Sequence, residues 1–97
     1  MGKTNAKPFV VVRTYSAGVH FGTLEERNGK EAALSDARRL WRWFGANTLN
    51  EVATKGIDVT KSKVSDAVPL IELTEVIEVV HCSAAGEAAL RKATWVP

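Results

Sequence analysis

The stretch RRLWRWFGAN (38–47) interleaves Arg38, Arg39 and Arg42 with Trp41 and Trp43. Guanidinium groups grip phosphate or carboxylate through a planar fork, and indole faces stack on nucleobases or on guanidinium planes. A small anionic, nucleotide-like ligand is therefore one partner the segment suits, and single-stranded nucleic acid is another. A strand that buries Trp41 and Trp43 while Arg38 and Arg42 stay in water would be spelled the same way, because tryptophan usually belongs to a core or an interface. The residues favour this second reading, an aromatic core or subunit seam edged with arginines. Arg13 and Tyr15 on a first strand, and His20 on a second, join the candidate binding set if the fold lays those strands beside the segment. His20 itself reads first as a partly exposed polar position and only second as a ligand-binding histidine.

Other chemistry is poorly represented. The chain has no glycine-rich phosphate cradle. His81 and Cys82 are adjacent, so on a strand they point to opposite faces and form no dyad. Cys82 reads as a small buried hydrophobe, and Glu72, Glu75 and Glu78 read as a solvated face. With one cysteine and two histidines, an internal disulfide framework and the usual zinc patterns are excluded. The expectation is a protein that is not an enzyme, with no catalytic residues, no metal and no cofactor.

The elements that would position these side chains follow from patterning. At 97 residues, 45% hydrophobic and 25% charged, the chain suits one small folded domain. Its formal charge of +2 is too slight to indicate duplex nucleic acid. No apolar run approaches the length of a membrane span and the start lacks the hydrophobic segment of a signal peptide, so the expectation is a soluble protein of a reducing cytoplasm with no membrane partner.

After a polar tail over 1–7, expected to be flexible, PFVVVRTYS (8–16) and GVHFGTLEER (18–27) alternate as a hairpin. Asn28-Gly29 is the strongest turn signal in the chain and leads into a third segment, 30–44. That segment fits helix or strand, and the turn before it and its aromatic ending favour strand, giving a three-stranded meander. Thr48 and Glu51 stand at capping-box spacing and Gly56 at a helix C-cap, predicting a short helix between them. Residues 57–69 read as a polar connection, the most mobile loop, able to hold a short edge strand. LIELTEVIEVVHC (70–82) is a strand whose alternation changes phase at Thr74-Glu75, predicting a bulge or break. Ser83 caps a second short helix over 83–93, and TWVP ends the chain as a strand fragment. The fold class is α+β: an antiparallel meander of three N-terminal strands, two short helices and one or two further strands in a single compact domain, 1–97.

Three pieces, VRTYSAGVHFG (12–22), ARRLWRWFGAN (37–47) and LTEVIEV (73–79), make the chain from Phe9 to Trp95 resemble a family of small proteins encoded by tailed bacteriophages and prophages and classed as a domain of unknown function. The resemblance implies a viral or prophage origin and a stand-alone domain, and it carries no activity onto particular residues. Taken together, the expectation is a non-enzymatic accessory protein of the host cell cytoplasm. It would form a homo-oligomer and bind a host protein or a small anionic ligand, countering a host defence. A virion component of capsid or tail is the alternative, and a single-stranded nucleic-acid-binding module is a third.

Overall fold

The structure, a computed structural model, describes residues 7–97. The expected flexible tail therefore lies outside the described residues, apart from Lys7, whose ammonium pairs with Glu25. The elements are β1 (Phe9–Thr14), β2 (Val19–Asn28), β3 (Glu31–Arg42), α1 (Leu49–Lys55), β4 (Lys63–Val64), β5 (Val68–Leu73), β6 (Val76–His81) and α2 (Ala84–Arg91). The α+β class and the β1–β2–β3 meander are as the sequence predicts, and residues 31–42 are strand. No described helix is long and apolar enough to cross a membrane.

All six strands form one antiparallel sheet ordered β4-β3-β2-β1-β6, with β5 on the first half of β3. The phase change at Thr74-Glu75 is a break. β5 runs antiparallel to β3 and β6 antiparallel to β1, so the two point the same way from opposite edges of the meander. A two-residue link can join opposite edges only if the sheet is curled upon itself. Two bonds hold the closure: Val76 N–H donates to Lys30 O (2.9 Å) and Tyr15 N–H to Glu75 O (2.9 Å).

Curling buries both faces of the meander, which explains the unbroken apolar run at its centre. Val10 and Val12 pack inside the curl with Ala32, Leu34, Ala37, Leu73 and Val76. Phe9 and Val11 face the other way, onto Phe21, Leu40, Val52, Ala53 and Leu90 beneath the helices. The helices form where capping predicts. The Thr48 hydroxyl accepts from Glu51 N–H and the Ser83 hydroxyl from Gly86 N–H, each satisfying an otherwise orphaned donor. Ser83 also donates from its backbone N–H to Ala53 O (3.0 Å) and from its hydroxyl to Thr54 O (2.8 Å), docking the start of α2 on the end of α1.

The 57–69 connection holds the short edge strand that the sequence allows, β4, and part of it is buried. Its Ser62 and Val64 are buried, the Ser62 hydroxyl donates to Asp58 O and accepts from Phe44 N–H, and β4 pairs with the end of β3. The final fragment is one bridge, Trp95 to Lys63.

Two irregularities in β3 set the direction of its side chains. At the first, Phe21 pairs with Arg38 but Thr23 with Ser35, so Gly22 stands opposite the extra residue. Asp36 takes the left-handed φ of 51° there, and a Cβ on Gly22 would lie 2.9 Å from Ser35 O. Before this bulge the even residues Ala32 and Leu34 point into the curl; after it Ala37 does, while Leu40 points to the helices. At the second, Leu40 pairs with Val64 and Arg42 with Lys63, leaving Trp41 unopposed.

Candidate functional site

The arginines of β3 meet three different fates. The first bulge turns Arg38 to the helix side, over the Phe21 ring (5.8 Å), where its Nε donates to Ser65 O (2.8 Å) and its Nη2 to Ala93 O (2.6 Å). Desolvation pulls its pKa below the usual guanidinium range. Arg38 is thus a clamp between β3, the β4–β5 connection and the end of α2, which corrects the expectation of a wet arginine. Arg39 is exposed on the opposite face, and its Nε donates to His20 Nε2 (3.2 Å). Arg42 is exposed and lies over the Phe44 ring (5.2 Å).

The tryptophans divide as well. Trp43 packs against the core under the helices, as the core reading predicts. Trp41, pushed out at the second bulge, is 58% exposed and stacks on Trp95, itself 51% exposed, with ring centroids 5.4 Å apart and planes at 36°. Lys63 extends over the Trp95 ring (5.1 Å) while its Nζ donates to Val96 O (2.6 Å). The geometry is an indole platform with ammonium and guanidinium groups at its border. Among the described residues, Arg39, Arg42 and Lys63 enter no ion pair, whereas Arg91 and Lys7 do. Cations left without carboxylates, beside exposed aromatic faces, present an anion-accepting surface.

The other predicted members stand apart from it. Arg13 pairs with Glu78 across β6 (3.9 Å). Tyr15 is 80% exposed beyond the end of β1, where its backbone bonds to Glu75. His20 corrects the expectation of a partly exposed residue, being only 1% exposed. Desolvation first, and the Arg39 charge second, push its pKa down to about 4 from 6.5. Cys82 is pushed up to about 11, by burial and then by Glu87, which leaves it a poor nucleophile at neutral pH.

Sequence reasoning missed Trp95, Lys63, Phe44 and Ser65. Trp95 carried a signal, a large aromatic in a polar terminal fragment that no amphipathic pattern buries. Lys63 and Ser65 carried none, since only β4 pairing brings them beside β3.

The His20 shift has a pH consequence. In the unfolded chain His20 takes a proton below about pH 6.5, and in the folded protein only near 4. Between these values the unfolded state binds more protons, so stability is full above pH 6.5 and falls as pH drops toward 4. Glu25 and Asp58, whose pKa values are lowered by hydrogen bonds to Lys7 and Thr60 respectively, act only at the acid end of this range. Urea midpoints should therefore fall between pH 7 and pH 5 in the wild type and change much less in His20→Gln; a flat wild-type profile would contradict the buried neutral imidazole.

The chain matches the family model described as Domain of unknown function (DUF6948) over residues 7–90. That span includes Trp41, Arg42 and Lys63 and stops short of Trp95. No curated protein matches the chain and no solved structure does.

Proposed function

The chain belongs to this family of unknown function, and from that premise we propose that it is a non-enzymatic binding protein whose contact surface is the Trp41–Trp95 platform with Lys63 and Arg42 at its border. The observation that carries the reading is the exposed indole pair beside cations free of ion pairs. Folding alone gains little from leaving two large apolar rings in water, whereas a ligand with a flat π-face and negative charge gains from both groups. A small nucleotide-like anion has that chemistry. In this reading the protein is a bacteriophage or prophage accessory factor acting in the host cytoplasm, which self-associates and withdraws such a ligand from a host defence. The raised Cys82 pKa and the occupied Arg38 support binding over catalysis.

The test is titration of the intrinsic tryptophan fluorescence with adenosine 5′-monophosphate and, separately, with an oligothymidylate. Saturable quenching by the mononucleotide, with no large gain for the oligomer, is expected. Much tighter oligomer binding that weakens steeply with salt would transfer the site to single-stranded nucleic acid. Quenching by neither would remove the ligand reading, and finding the protein in purified particles would then favour the virion component.

A further inference from the structure

A concavity of about 140 Å3 opens beside β3, its lining including polar His20, Arg39 and Ser65 and apolar Ala37, Val68 and Ile71. Small-molecule pockets usually span roughly 300–1,000 Å3, so this cleft has room for a head group rather than a whole ligand. Its polar wall is built. The Arg39 backbone N–H donates to the Ser65 hydroxyl (2.8 Å) and the Ser65 N–H to Arg39 O (3.0 Å), fixing the strand on either side. Arg39 Nε donates to His20 Nε2, which places the imidazole proton on Nδ1 and occupies one edge of the guanidinium. The Arg39 Nη groups donate to no protein acceptor among the described residues, and buried His20 Nδ1 has no partner either. A guanidinium fixed at its Nε by a buried imidazole, with its Nη groups free of any carboxylate beside this cleft, points to an acceptor supplied from outside.

Resting on the binding reading above, we infer that this cleft seats the phosphate of the nucleotide-like ligand on Arg39, with His20 as the positioning residue that holds the guanidinium. Arg39 and Trp41 are two residues apart on β3, with Trp41 at the second bulge. A ligand that seats its phosphate in the cleft and its base on the indole platform would run along this strand. The inference thus narrows the ligand class to a nucleotide bearing a phosphate, excluding a bare nucleobase or nucleoside.

Calorimetric titration of the full chain with adenosine and with adenosine 5′-monophosphate decides it. The expected result is at least about tenfold tighter binding of the monophosphate. That preference should be lost in Arg39→Gln and partly kept in Arg39→Lys, which retains the charge without the fork. Arg39 is exposed, so both variants should fold, and their melting curves check that. The imidazole 15N signals give a second readout: His20 Nε2, the acceptor of Arg39, should shift with the monophosphate and not with adenosine, while His81 serves as the internal reference. Equal binding of the two compounds, or a monophosphate preference that survives Arg39→Gln, would overturn the phosphate seat and leave the stacking surface standing. Binding of neither would overturn the binding reading itself.

Discussion

Gly86→Ala should lower the melting temperature by roughly 10–20 °C, the largest stability loss expected of any single methyl addition in this chain. A Cβ on Gly86 would lie 1.8 Å from Ala53 O and 2.5 Å from its carbonyl carbon. Both atoms are backbone, so no side-chain rotation relieves the clash. The separation is also fixed from the other side: the Ser83 N–H bond to Ala53 O and its hydroxyl bond to Thr54 O pull the start of α2 onto the end of α1. Alanine gains about 1 kcal/mol over glycine in helix propensity. Against that stand the lost docking bonds and the strain at Val52, Ala53 and Leu90, all buried in the core the helices cover. A net loss on the order of 2–3 kcal/mol is expected, a large fraction of the stability of a small domain. Thermal melts followed by circular dichroism measure it. An unchanged or raised midpoint would mean that the helices do not meet at Gly86.

Trp41→Ala carries the largest expected effect on binding. Stacking of a base on an aromatic side chain contributes about 1–3 kcal/mol, so the affinity for adenosine 5′-monophosphate should fall by about 5- to 150-fold. Calorimetry is the suitable readout, because the substitution also removes a fluorophore. Trp41 is 58% exposed and outside both core clusters, so the melting point should move little. Trp41→Phe keeps a π-face and should recover part of the affinity, which separates stacking from a general disturbance of the strand. Trp43→Ala, in contrast, should destabilise the fold, since Trp43 packs on the core. Wild-type affinity in Trp41→Ala would show that the platform is not the contact surface.

The site was only partly legible in the residues that spell it. RRLWRWF reads as alternating arginine and indole, and simple alternation would place Arg38 and Arg42 on one face with Arg39, Trp41 and Trp43 on the other. One bulge just before the run sets the face it starts on, and a second within it breaks the alternation. The extra residue opposite Gly22 turns Arg38 toward Phe21 and Ala93, and the unopposed Trp41 is followed by a Trp43 that enters the core. Neither bulge has a reliable local signal: Asp36 adopts a left-handed φ without being glycine, and nothing around Trp41 marks an extra residue. His20 was misjudged for a related reason. Its neighbours in sequence, Val19 and Phe21, gave no sign that Val12 and Arg39 flank it across the sheet and that Val68 and Ile71 of β5 line the same cleft.

Sequence alone determined the features that depend on residues a few positions apart. The Asn28-Gly29 turn, the Thr48 and Ser83 caps and the change of phase at Thr74-Glu75 all depend on backbone conformation and hydrogen bonding within a turn or two. The apolar run FVVV at 9–12 makes both faces of its strand apolar, and the structure buries both. Tertiary structure decided which edge each half of 68–81 would join, which arginine would clamp and which would stay free, why a glycine stands inside α2, and that Trp95 would meet Trp41. Each of those depends on pairings between residues far apart in the chain, and a single-residue shift in strand register reverses the face on which a side chain emerges.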